Sequence, residues 1–252
     1  MIRCFYTAGT GMLVQRDRMD VLCNNLINVD TTAYKADTLV SNRFQDLLIR
    51  RTNDPQSRAF GRAVGPLSTG THIERVHTSF AQGSPDQTGR SLDLALDGEG
   101  FFVVATPQGL RYTRDGSFAV NAAGYLVTSE GHYVQGENGR IQVGGDDFTV
   151  DVSGNIANAA EEPLARLRIV SFNDLTGLRK EGNNLFSNVS AGQERRPEQT
   201  RVIQGSLEGS NVNIAAEMTR LLTVSRAYQT NQRVFGMVDA SLEKTVNEVG
   251  RV

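Results

Sequence analysis

Apolar residues recur every seven positions at both ends of the chain and at every second position in parts of its middle. From Ile214 on, Ile214, Leu221, Tyr228, Phe235, Leu242 and Val249 fill all six places of one strict seven-residue repeat. The neighbouring stripe is mixed, with Met218 and Val246 apolar but Ser225, Gln232 and Asp239 polar. The last proline is Pro197, Asn213 suits an N-cap, and Glu217 suits the positive end of a helix dipole. The pattern predicts one helix over 214–249, about 54 Å long at 1.5 Å per residue. At the other end Phe5, Met12, Met19 and Leu26 keep the same spacing, with Met1, Ala8 and Leu22 on a second stripe. That helix is predicted to run to about Asn28, where Asn-Val-Asp-Thr-Thr breaks the pattern. A sustained heptad seam wants a partner helix. The two ends are therefore expected to meet helices, those of neighbouring copies included, although each could instead pack separately on the middle of the chain.

The middle reads as β. Ser91–Asp97 alternates, putting Leu92, Leu94 and Leu96 on one face and the aspartates towards solvent. Phe101-Phe-Val-Val-Ala reads as a buried strand, followed by strands at 110–114, 117–120, 125–127, 131–134, 140–143, 148–152, 166–172 and 184–187. Ser117–Val127 and Asp147–Ala157 align at an offset of thirty, pairing Phe118 with Phe148, Val120 with Val150, Gly124 with Gly154 and Leu126 with Ile156. Each copy predicts a strand, a Gly-closed loop and a second strand, which is a hairpin. The polar stretches 51–70 and 188–200 suit connectors. The expected fold class is α+β: long N- and C-terminal helices pairing as a coiled coil, with a central all-β antiparallel domain. The expected division is 1–40 for the first helix and its loop, 41–74 for a connector, 75–200 for a β domain able to fold alone, and 201–252 for the last helix.

Composition narrows the function by exclusion. The 252 residues carry 26 Lys+Arg against 28 Asp+Glu, a net charge of −2, so no basic field attracts nucleic acid. Arg50-Arg51 and Arg195-Arg196 are short basic spots without interleaved aromatics. No run of about twenty apolar residues spans a membrane, and the start of the chain lacks the pattern of a cleaved signal. His72 and His77 match no zinc spacing, and neither Cys4 nor Cys23 has a second cysteine close by. The two cysteines, about 28 Å apart if one helix holds both, lie beyond disulfide reach and read as small packing residues. Gly98-Glu-Gly100 precedes a strand and is no dinucleotide fingerprint, and no phosphate loop or nucleophile elbow occurs. Asp93 and Asp97 could form a carboxylate pair, but alternation with leucines makes them solvent-facing. No catalytic residue, metal or cofactor is expected.

Four runs, spread from one end of the chain to the other, carry a resemblance. Asn24-Asn25-Leu-Ile-Asn28-Val-Asp-Thr-Thr32-Ala-Tyr34-Lys35, Leu92–Val104, Tyr112–Val127, and Gly205-Ser-Leu-Glu-Gly209-Ser210-Asn211-Val-Asn213 with Arg226-Ala-Tyr228 resemble, in order, the signatures of the bacterial flagellar axial proteins, specifically the basal-body rod proteins. Ile27 stands where alanine is usual and Ala33 where glycine is usual; a left-handed backbone there would strain Ala33. The length is similar to that of proximal or distal rod proteins, and the Asp-Gly-Ser-Phe and Ser-Asn-Val-Asn runs lean towards the distal type.

The resemblance implies a structural subunit that polymerises helically into the drive shaft carrying torque from motor to hook. It implies an inner tube of terminal helices, a β-rich domain decorating its outside, and export through the flagellar secretion apparatus without cleavage. Implied partners are further copies of the chain, neighbouring rod and hook proteins, the export apparatus, and the surrounding ring or cell wall, in the basal body outside the cytoplasmic membrane. Two other classes remain: a non-catalytic coiled-coil adaptor, and a peptidoglycan-interacting β module, the latter weakened by the absence of tryptophan.

Overall fold

The computed structural model describes residues 2–51, 62–145, 148–158, 162–190, 192–197 and 199–249. Of the expected connectors, 52–61, Ala191 and Glu198 lie outside the described residues, as do Met1 of the first helical stripe and Asp147 of the second hairpin copy. The chain divides into two compact units. One comprises Met1–Leu26, Asp37–His77 and Ile214–Val252; the other comprises Ile27–Ala36 and Thr78–Asn213.

The first unit holds helices α1 (Ile2–Ile27) and α2 (Ile214–Val249), with the bounds the heptads predict. Glu217 occupies the first turn of α2, where its charge favours the helix dipole, and pairs with Arg220 at 2.7 Å. Phe5 meets Phe235 with ring centroids 4.0 Å apart, and Asn25 donates to Glu217 at 3.5 Å. Met12, Met19, Leu22 and Leu26 on α1 are half-buried, as are Leu221, Tyr228, Phe235 and Leu242 on α2. Ile214 and Met218 are exposed. The second partly covered line of α2 is Glu217, Val224, Asn231 and Val238, one place away from the predicted Met218 stripe.

The expected fold class needs correction here. The line beside the Leu221 stripe is mixed, with Glu217 and Asn231 polar between Val224 and Val238, so the second apolar line of a coiled-coil seam is interrupted there. Strands are also not confined to a central domain. Asp37–Arg43 pairs with Thr71–Thr78, and Leu47–Arg51 pairs antiparallel with Arg62–Leu67, nearly all of it in the segments expected as the first loop and connector, with only residues 75–78 inside the expected β domain. These strands escaped the sequence reading because Thr71–His77 is exposed at every position and shows no apolar alternation. Cys4 and Cys23 are exposed as well, on the open side of α1, and do not pack as expected.

Among the described residues, the regular elements of the second unit are strands apart from one short 3-10 turn and Ile27 at the end of α1. Its main sheet runs Leu178–Gly182, Leu185–Asn188, Gly109–Thr113, Phe101–Thr106, Tyr133–Gly136, Leu126–Thr128, Phe118–Val120, every neighbour antiparallel. Phe101–Thr106 is covered on both faces. Phe102 and Val104 enter one core with Leu94, Phe118, Leu126, Phe148 and Ile156, and Phe101 and Val103 enter a second with Tyr112, Phe172 and Phe186. Double burial is why this run shows no polar alternation.

The internal repeat is two hairpins of equal register. Val120 faces Leu126 and Val150 faces Ile156, while Gly124 and Gly154 close the turns at φ 79° and 80°. Arg166–Phe172, expected as one strand, is broken at Leu167, which enters the core and donates its N–H to Gly154. The Asp93 expectation also fails. Asp93 is 1% exposed and accepts from the Thr88 hydroxyl at 2.6 Å, because both faces of the Leu94–Asp97 strand are covered.

Candidate functional site: two signature segments around a buried charge cluster

The signature residues fall into two groups. In the helical unit, Asn24 is exposed and Asn25 buried. Asn25 closes the chain on itself: its Nδ2 donates to the Asp37 carbonyl at 2.8 Å, and its Oδ1 accepts from the Asp37 N–H at 2.9 Å. A side-chain amide that satisfies both groups of one backbone residue fixes where the next strand begins.

The remaining signature residues belong to the β unit. Asn28 accepts from Thr31 through its carbonyl and its Oδ1. Thr32 donates to Asp115, and its carbonyl accepts from Asn184 at 2.8 Å. Tyr34, 3% exposed, lies under the Lys180 ammonium, 3.8 Å from the ring centre. Ala33 has φ 54° and is buried, so the position where glycine is usual does need the left-handed region.

The structure brings the N-terminal run directly against the C-terminal one. Asn211 Oδ1 accepts from the Ala36 N–H at 2.8 Å, and its Nδ2 donates to the carbonyls of Ser79 and Ala81. Gly209 donates to the Ser84 carbonyl, and the Ser210 hydroxyl accepts from the Val212 N–H. A side chain at Gly83 would strike the Gly209 carbonyl, so the two segments can lie this close only with glycine there.

At the centre of this contact Lys35 Nζ donates to Glu208 Oε1 at 2.5 Å and to the Ala81 carbonyl at 2.8 Å. Glu208 Oε1 also accepts from the Gly83 N–H, and Oε2 accepts from Arg114 at 3.2 Å. Arg114 donates in addition to the Gly98 carbonyl at 2.8 Å and stacks its guanidinium 5.4 Å from the Phe101 ring centre. The side chains are 0%, 1% and 5% exposed for Lys35, Glu208 and Arg114. Burial pushes both cations below their ordinary values, and the Glu208 carboxylate opposes that fall.

Glu208 and Arg114 were not singled out from the sequence, although each lies inside a quoted run. Three charges of mixed sign, one in each of three separate runs, were the available signal. The adjoining Asp115-Gly116 turn serves the same junction. Asp115 takes Thr32 and Ser117 as donors, and Gly116 packs so tightly on the Leu94 carbonyl that no side chain fits.

This arrangement binds and positions chain segments; it presents no reacting group to solvent. Among the described residues no group of three His, Cys, Asp or Glu is placed to hold a metal ion. A groove of the β unit is lined by Arg166, Arg168, Arg195, Arg196 and Arg201. Glu137 closes on Arg166 and Arg196, and Glu194 on Arg168. In the helical unit a mostly apolar groove is lined by Phe5, Tyr6, Met12, Leu13, Tyr228 and Phe235. Val249, the last predicted seam position, ends α2.

Two sequence families match. The family described as the flagellar hook protein FlgE/F/G D1 domain covers residues 95–165, and the flagellar basal body rod FlgEFG protein C-terminal family covers residues 203–248. The flagellar basal-body rod protein FlgG of Agrobacterium fabrum is 35% identical over 94% of this chain and 96% of that protein. FlgG of Bacillus subtilis is 30% identical over 98% and 99%, and the rod protein FlgF of Caulobacter vibrioides 31% over 100% and 98%. With family matches over both the β unit and α2 and relatives aligned end to end, the chain belongs to the flagellar basal-body rod protein family and is a structural protein of the bacterial flagellum.

Proposed function

We propose that the chain joins further copies of itself in a helical polymer, part of the rod that carries torque from motor to hook, and that the helical unit supplies the contacts between copies. The observation that supports this is the apolar surface that one copy leaves open. Beside the half-buried Phe5 and Met12, α1 exposes Tyr6 at 64% and Leu13 at 53%; beside Leu221 and Phe235, α2 exposes Leu222 at 59% and Met237 at 64%. Exposed apolar side chains clustered along two helices in this way mark an interaction site. Tyr6 and Leu13 are seven positions apart on α1, and the half-buried Leu221, Tyr228, Phe235 and Leu242 keep the same spacing on α2, which suits another helix as the occupant, and the copy at hand carries two. The interface would then comprise Phe5, Met12, Met19, Leu22 and Leu26 on α1 and the stripe from Ile214 through Leu221 to Val249 on α2. Neighbouring rod and hook proteins would be met by the same surface at the ends of the polymer.

On this reading the protein works in the basal body, outside the cytoplasmic membrane and near the ring and cell wall, after leaving the cell through the flagellar export apparatus. No described helix is long and apolar enough to cross a membrane. Electron microscopy of the purified protein at rising concentration tests the proposal. Helical filaments above a threshold concentration are expected. Discrete dimers at every concentration would favour the adaptor, and persistent monomers that bind peptidoglycan would favour the wall module.

A further inference from the structure

We infer that residues 201–211 are a latch that closes the β unit last, so that the unit cannot reach its folded state while they are missing. The unit is assembled from Ile27–Ala36 and Thr78–Asn213, so its first and last segments in the chain are neighbours inside it. Strand Leu94–Asp97 has Arg201–Gln204 as its ladder partner, and Pro85–Gln87 has Ser206–Glu208. Val202, 2% exposed, completes the core that Leu94 and Leu96 enter. Without 201–211 these strands lose their pairing, and buried backbone groups are left unmatched. The Ala33 N–H loses the Glu208 carbonyl, and the Ala36 N–H loses Asn211.

The charges sharpen the effect. Lys35 and Arg114 are both buried, and Glu208 is the carboxylate that pairs with each. Before Glu208 arrives, closing the unit would carry two cations out of water with no counter-charge, which is strongly unfavourable. A chain always emerges from its N-terminus. Lys35 precedes Glu208 by 173 positions and Arg114 by 94, and the last main-sheet strand, ending at Asn188, is complete before it as well. The segment that the loop 27–36 needs comes more than 160 positions after it. The β unit thus stays open through most of synthesis, or of any passage that releases the chain N-terminus first, and closes in one late step. The inference rests on contacts within the β unit and is independent of the rod reading.

A folding-force profile on the ribosome tests it, with the natural sequence lengthened stepwise ahead of an arrest peptide. No release of force is expected while 201–211 remain inside the tunnel, and a sharp release is expected once residue 211 has cleared it. At full length, Glu208→Gln is expected to remove most of that release, whereas Glu130→Gln, at an exposed carboxylate, keeps it. Release of equal size with residue 190 outside and 201–211 still enclosed would overturn the latch, and so would a Glu208→Gln chain that pulls as hard as the natural one.

Discussion

Lys35 and Glu208 stand 173 positions apart in the chain and 2.5 Å apart in the fold, with both side chains closed off from solvent. Arg114 shares the carboxylate, so the cluster holds two cations and one anion. Which residue is removed then decides the cost. Glu208→Gln leaves two like charges buried and unpaired, and should lower stability by about 3–5 kcal/mol. Lys35→Met leaves a neutral Arg114–Glu208 pair and an Ala81 carbonyl short of one donor, a smaller loss of about 1–3 kcal/mol. Urea denaturation of the natural protein and the two variants measures the order. A Lys35→Met protein less stable than the Glu208→Gln one would contradict it.

Ala33 sits at φ 54° and 1% exposure, with its N–H held by the Glu208 carbonyl at 2.7 Å. A left-handed backbone costs a non-glycine residue roughly 1–2 kcal/mol, and burying a methyl returns about 0.8 kcal/mol. Ala33→Gly should leave stability unchanged or slightly raised, unlike an ordinary Ala→Gly change. Ala33→Val, branched at a carbon with neither space nor a suitable backbone, should cost several kcal/mol. Thermal melts of the three proteins decide it, and an Ala33→Val protein as stable as the natural one would show the loop to be differently built.

What could be read from the sequence followed from where apolar periodicity exists. The two helices and the paired hairpins were legible because Leu221, Phe235, Phe118 and Phe148 repeat at fixed spacing, the first two half-buried and the last two in the core. The strands of 37–78 were not legible, because exposed strands such as Thr71–Thr78 need no apolar face. The buried cluster lay hidden for another reason. Lys35, Arg114 and Glu208 read as ordinary surface charges until long-range pairing puts them together, and no spacing rule reports contacts across 173 positions. The Asn25–Asp37 clasp was visible only as part of a family-like run, since its partner is backbone.

The boundaries of the β unit follow from the same contacts. A fragment of residues 27–213 keeps the loop, the Arg201–Gln204 and Ser206–Glu208 strands and the charge cluster, and should melt cooperatively. A fragment of residues 75–200 loses Lys35, Glu208 and the partners of two strands. It should give a broad, non-cooperative melt with exposed apolar surface, read by circular dichroism and dye binding. Equal cooperative melts for both fragments would show that the ends of the unit are dispensable.

Leu221 and Phe235 lie two heptads apart on the half-covered stripe of α2, and Arg233 lies off it and exposed. In a single copy, Leu221→Asp removes a partly covered side chain and puts a carboxylate where water still reaches, so the loss is only part of the ~2–5 kcal/mol of a buried leucine. In a polymer that covers the stripe, the same carboxylate is stripped of water without a partner, at a cost of several kcal/mol. That penalty recurs with every copy added, so growth should stop even though one subunit tolerates the change. The β unit, which does not contain this residue, should keep its melting temperature. Arg233→Asp changes charge by two units, more than Leu221→Asp does, yet on the open side of the helix it should polymerise nearly as the natural protein does. Light scattering and electron microscopy of the two variants, with a motility assay in cells, measure the contrast. Filaments of equal length from Leu221→Asp and Arg233→Asp would place the contacts between copies on another face of α2.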